Sequence, residues 1–93
     1  MPLKYNLSGE LGEILGKLFR KDRERYEIVL KKMEEISSRS EAEIEYYKNL
    51  KYNMKDFKRV HIDKSFVLLF KFFKKEKTVL FYLLLHHDDV YKR

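Results

Sequence analysis

The sequence contains no cysteine. That excludes disulfides, thiolate metal centres and a cysteine nucleophile, and it fits a reducing compartment. No apolar run approaches the ~20 residues needed to span a bilayer. The strongest stretches, "FVLLFKFF" and "VLFYLLL", fall far short. The opening "MPLKYNLSGE" lacks the apolar core of a secretion signal. Proline occurs once, and no linker or low-complexity segment is visible. Glycine is confined to Gly9, Gly12 and Gly16. No GK[ST] follows them, so they do not form a phosphate loop. The serines sit at caps and turns without a Ser–His–Asp pattern, which leaves nucleophilic hydrolysis unsupported. These absences together point to a soluble, cytoplasmic, single domain over residues 1–93.

What is present is globular in character: 93 residues, 44% apolar and 15% aromatic. The net charge of +6 is unevenly distributed. Residues 1–47 hold 9 basic and 10 acidic side chains, whereas residues 48–93 hold 12 and 5, with all three histidines. The first half reads as a scaffold and the second as a surface for a polyanion.

Leu3, Tyr5 and Leu7 alternate with polar residues and predict a short strand. Ser8 can cap a helix whose apolar stripe is Leu11, Ile14, Leu15, Leu18 and Phe19. Gly12 and Gly16, four apart, leave room for close packing on a neighbour. Asp22 caps a second helix, with Tyr26, Val29, Leu30, Met33 and Ile36 on its buried face. The two helices form an αα-hairpin turning near Lys21. Ser40 and Glu43 have capping-box spacing, so a short third helix and a loop are expected over 41–56.

The period then changes from helical to alternating. "FKRVHI" sets Phe57, Arg59 and His61 against Lys58, Val60 and Ile62. "SFVLLFKFF" and "TVLFYLLL" follow, separated by the turns "DKS" and "KKEK". In the last strand, Val79, Phe81, Leu83 and Leu85 are expected on one face. Strands apolar on both faces need cover on both sides. The helices cover one. A neighbouring segment, another chain or a ligand must cover the other. The fold class is α+β: an N-terminal strand, an αα-hairpin, then a three-stranded antiparallel meander in a mostly antiparallel sheet.

In an up-down-up meander the ends of the first and third strands share one edge. His61 and His87 can therefore meet, although 26 positions separate them. The ending "LLLHHDDVYKR" offers His86, His87, Asp88, Asp89 and Tyr91. A metal site is disfavoured, because adjacent histidines rarely share one ion, the spacing matches no common zinc pattern and the surroundings are positive. Cleavage of an RNA phosphodiester needs a base, an acid and cations, and His–His–Tyr within a strongly basic half-chain supplies them. The plainer alternatives are a solvated His61, a polar stop at "HHDD" and a core Tyr91.

The segments "KNLKYNMKDFKRVHIDKSFVLLFKF" and "FYLLLHHDDVYKR", in this element order, resemble the RelE/ParE superfamily of toxin–antitoxin toxins, and most nearly its YafQ-like branch. The resemblance implies a ribosome-dependent, metal-independent mRNA endonuclease that needs no cofactor. It acts on mRNA in the ribosomal A site and is neutralised by a cognate antitoxin. Carried over by position, His61, His87 and Tyr91 would be catalytic, with Asp89 and Lys48 supporting. Lys48 stands where the branch can have another histidine, and Ser65 where it can have an acidic residue. Val67 stands where the RelE branch proper has an arginine. Lys51, Lys58, Arg59 and Lys64 would bind RNA. The competing class is a non-catalytic toxin, such as a ParE-like gyrase inhibitor or an antitoxin-binding homologue.

Overall fold

The computed structural model of the chain describes residues 3–92, without the side chains of Tyr91 and Lys92. Strand β1 (Lys4–Leu7) leads into helices α1 (Gly9–Lys21), α2 (Arg23–Ser37) and α3 (Glu41–Ile44). A 3-10 turn (Tyr52–Met54) precedes strands β2 (Lys58–His61), β3 (Phe66–Phe73) and β4 (Thr78–His86), and a 3-10 helix (His87–Lys92) follows. The order is the predicted one.

Local chemistry accounts for the helix boundaries. The Ser8 side chain accepts the Leu11 amide at 3.0 Å and starts α1. Asp22 closes α1 by donating its amide to the Leu18 carbonyl, and opens α2 by accepting the Arg25 amide. One residue thus serves both helix ends, which makes the hairpin tight. Ser40 and Glu43 form a reciprocal capping box at 3.2 and 2.9 Å. It is followed by an irregular segment to residue 57.

The sheet order is β1-β4-β3-β2. β2 and β4 run antiparallel to β3, while β1 joins β4 in parallel, so the sheet is mixed. A hairpin cannot connect parallel neighbours; the helices between β1 and β4 provide the crossover. On one face Leu11, Val29, Met33 and Ile36 from α1 and α2 pack with Leu68, Phe70, Val79 and Phe81. On the other, Leu50 and Val90 seal Val67, Leu69 and Leu83, with Met54 and Phe57 around them. The second cover is therefore the chain's own loop and closing 3-10 helix. Leu69 and Leu83 are fully buried, so truncating either to Ala would cost about 2–5 kcal/mol.

β4 departs from simple alternation. Leu69 pairs with Leu83 but Phe70 pairs with Phe81, which leaves Tyr82 as an extra residue. Phe81 and Leu83, expected on one face, consequently enter opposite cores. Ser8 meets this bulge: its hydroxyl donates to the Tyr82 carbonyl at 2.5 Å and its amide to the Phe81 carbonyl at 3.0 Å. The N-cap of α1 and the bulge are one hydrogen-bonded unit. The close packing expected at Gly12 and Gly16 is not realised, since a Cβ at either would meet nothing within 4 Å.

Candidate active site

Pairing along β2 sorts its side chains. Arg59 and His61 lie opposite Leu69 and Val67, on the loop-covered face, while Lys58 and Val60 lie opposite Phe70 and Leu68, on the helix face. At the far side of β3, Phe66 pairs with His86, so His87 falls beside Ser65 at the same edge. A cleft of about 290 Å³ results, lined by Leu50, Lys51, Arg59, His61, Val67, His87 and Val90. His61 and His87 are both exposed and both border it. Val67 is buried in its wall, where an apolar side chain narrows access by water.

His87 is held from several sides. Its amide donates to the Ser65 carbonyl at 2.8 Å, and its ring Nδ1 lies 3.1 Å from the same oxygen. Its Nε2 faces Asp88 Oδ1 at 3.1 Å, and its ring stacks on His86 with centroids 4.5 Å apart. A neutral imidazole can donate to only one of these oxygens, whereas an imidazolium donates to both. Donation from Nδ1–H to the carbonyl would leave Nε2 on the Asp88 side. Asp88 is two-thirds exposed, so it can swing away from Nε2.

The β2–β3 turn that carries Ser65 is ordered by Asp63. Oδ1 accepts the amides of Ser65 at 2.8 Å and Phe66 at 3.0 Å, while Oδ2 accepts Arg25 Nε from α2 at 3.1 Å. The Ser65 amide, followed by the Arg25 guanidinium and the Phe66 amide, holds the Asp63 carboxyl below its usual value against the upward push of burial. Arg25 also lies over the Phe66 ring, 4.2 Å from its centroid, and Phe66 touches His86 edge-on.

The remaining predicted residues divide. Lys48 is exposed and borders a second groove together with Arg59 and His61. Lys64 is exposed at the tip of the β2–β3 turn and does not line the cleft. Asp89 is exposed in the closing 3-10 helix. The backbone of Tyr91 continues that helix, and its side chain lies outside the described residues. Lys58 corrects the expectation of an RNA-binding residue. It is buried, and its Nζ donates to the Tyr47 carbonyl at 3.2 Å and Asn49 Oδ1 at 2.9 Å. The alternation that turns Arg59 toward the cleft turns Lys58 away from it.

His86, His87 and Asp88 offer ligand atoms within 4.8 Å of one another. Part of that donor capacity is already engaged inside the chain: His86 Nδ1 accepts the Asp88 amide at 3.2 Å, and His87 Nδ1 bonds Ser65. The Ser65 carbonyl is the site group that sequence reasoning did not single out, and Asp88, one of the candidates at the ending, has no role assigned there. Asp88 is visible as a charged neighbour of His87, but a backbone carbonyl leaves no mark in a sequence.

The fold is that of RelE- and YafQ-type toxin structures. No protein-family model matches the chain. It is 48% identical over 83 residues, 89% of this chain and 84% of the relative, to a Methanocaldococcus jannaschii protein named "Putative toxin RelE4". Its fold matches a chain of the RelBE2 toxin–antitoxin complex of Mycobacterium tuberculosis, with TM-score 0.74, 15% identity and 92% of each chain covered. It also matches a chain of the DinJ–YafQ toxin–antitoxin complex of Escherichia coli, with TM-score 0.64, 13% identity and 98% and 99% covered. The chain belongs to the RelE family of toxins.

Proposed function

We propose that this chain is the toxin of a type II toxin–antitoxin pair and cleaves mRNA in the ribosomal A site without a metal ion. One observation carries the reading: His61 and His87 border one cleft with Arg59 and Lys51. One histidine, neutral, takes the proton of a ribose 2′-OH. The 2′-oxygen attacks the adjacent phosphorus and the bond to the 5′-oxygen breaks. The other histidine, as imidazolium, protonates that 5′-oxygen, leaving a cyclic phosphate and a 5′-hydroxyl. Arg59 and Lys51 meet the charge gathering on the phosphate. Tyr91 positions or stacks on the RNA, Asp89 supports the site, and Lys48 and Lys64 hold flanking phosphates.

Toxins of the M. tuberculosis and E. coli complexes occur with antitoxins. A cognate antitoxin, neutralising the toxin in the cytoplasm, is accordingly the expected partner here. Among the described residues no helix is long and apolar enough to cross a membrane. The test is cleavage of mRNA on programmed ribosomes by the wild type and His87→Ala. Loss of cleavage in the variant supports the reading, and unchanged cleavage removes it. A wild type that cleaves nothing with ribosomes present points instead to a toxin that acts by binding, such as a gyrase inhibitor.

A further inference from the structure

The cleft of His61 and His87 does not end at Arg59. A second groove of about 320 Å³, lined by Tyr46, Tyr47, Lys48, Arg59, Val60 and His61, runs along the outer edge of β2. Arg59 and His61 border both, so the two depressions are neighbours. Tyr46, which lines this second groove, is 86% exposed, more than any other large hydrophobic residue among those described.

That exposure sits on a fixed base. The Tyr46 and Tyr47 amides donate to the Glu43 and Ile44 carbonyls at 3.1 Å each. The Tyr47 carbonyl accepts buried Lys58, and the Lys48 carbonyl accepts the Arg59 amide at 2.9 Å. The Tyr47 ring packs edge-on against buried Phe70. Tyr47 is thus tied into the body of the fold while its neighbour points into water. An aromatic ring on an ordered backbone gives a stacking partner at little entropic cost. Between Tyr46 and the histidines stand two cations, Lys48 and Arg59, and among the described residues neither is paired with a carboxylate.

We infer that Tyr46 is a base-stacking subsite for single-stranded RNA. A nucleotide flanking the scissile phosphate lies on its ring, with the connecting backbone held by Arg59 and Lys48. The combination of a stacking ring with cations along a groove is what sequence-tolerant single-strand binding requires. This inference names a contact of the site proposed above and rests on that reading for the position of the scissile phosphate. The binding of RNA at Tyr46 does not depend on cleavage.

Two measurements on the full chain separate the claims. The first is fluorescence anisotropy of a labelled 12-mer oligoadenylate with the wild type, Tyr46→Ala and Tyr46→Phe. Tyr46→Ala should weaken binding about five- to hundredfold, the range of one lost base–aromatic stack, while Tyr46→Phe keeps the wild-type affinity. The second is cleavage on programmed ribosomes. There Tyr46→Ala should raise the half-saturating ribosome concentration and leave the saturated rate within about twofold. A wild type that binds the oligomer through Tyr46 but cleaves nothing sinks the nuclease reading and keeps the subsite. No oligomer binding by the wild type, equal binding by Tyr46→Ala, or a Tyr46→Phe as weak as the alanine variant each overturns the subsite. So does a Tyr46→Ala that binds RNA normally but loses affinity for the antitoxin, which would assign this ring to the antitoxin.

Discussion

The Ser65 carbonyl accepts the His87 amide at 2.8 Å and faces the ring Nδ1 of the same residue at 3.1 Å. A single backbone oxygen therefore holds both the chain just past the end of β4 and the imidazole of His87. Two carboxylate oxygens stand behind that carbonyl. Asp63 Oδ1 orders the turn through the Ser65 and Phe66 amides, and Oδ2 ties the turn to Arg25 on α2.

It follows that Asp63→Ala should disturb His87 without touching it. With the turn loosened, an Nδ1–H loses its carbonyl acceptor. Nitrogen-15 chemical shifts of the imidazole read this directly, because protonated and unprotonated ring nitrogens differ widely. The wild type should show Nδ1 protonated in the neutral ring, and Asp63→Ala a mixture of tautomers. Asp63→Asn keeps an oxygen acceptor at Oδ1 and should retain the wild-type signature. Identical tautomer populations in wild type and Asp63→Ala would refute the arrangement.

The same carboxylate makes stability depend on pH. Its folded-state pKa is lowered by the Ser65 amide and Arg25, so it contributes stability that is fully present above the ordinary aspartate value of about 3.9 and is lost as the pH falls through the lower folded value. Asp63→Asn removes the charge and with it this dependence. Urea unfolding should show the wild type more stable than Asp63→Asn by about 1 kcal/mol at pH 7. That margin should hold above the ordinary aspartate value and shrink as the pH falls through the lower folded value. A gap of constant size through the acid range would rule out the carboxylate as its source.

Much of this frame is local and therefore readable from residue order. Ser8, Asp22 and the Ser40–Glu43 pair cap helices through atoms at most three residues away. The meeting of His61 and His87 at one edge follows from meander geometry alone. The bulge at Tyr82 does not, because β4 is apolar on both faces and no polar residue marks where its alternation slips. The cover of the second face is equally hidden. Leu50 and Val90, forty positions apart, close over the same patch, and nothing in the spacing of either segment announces the other. Tyr46 and Tyr47 look alike in the sequence, yet one is tied into the fold and the other faces solvent.

Gly12 and Gly16 lie within α1, and a Cβ at either would meet open space. Neither glycine serves packing within the chain, so each only adds flexibility to the unfolded state. Gly12→Ala and Gly16→Ala should each raise stability by about 0.5–1 kcal/mol. The midpoint of urea unfolding measures it, and an unchanged slope would show that the unfolded surface is the same. Loss of stability in either variant would contradict the open space seen at both positions.

Lys58 and Arg59 are adjacent cations with opposite expected roles. Lys58 is buried and its Nζ bridges the Tyr47 carbonyl and Asn49 Oδ1, so Lys58→Ala leaves two part-buried hydrogen bonds without their donor. That should cost about 1–3 kcal/mol of stability. Because the bridge anchors the segment carrying Tyr46, the 45–50 loop should also exchange its amide hydrogens faster. Arg59 faces both grooves, and Arg59→Ala should change stability by less than about 0.5 kcal/mol. Its effect should fall on RNA, with weaker oligomer binding and a salt dependence shallower by roughly one phosphate contact. Denaturation and anisotropy at several salt concentrations distinguish the two residues. A Lys58→Ala chain of wild-type stability, or an Arg59→Ala chain of wild-type affinity, would break the assignment that strand alternation makes between them.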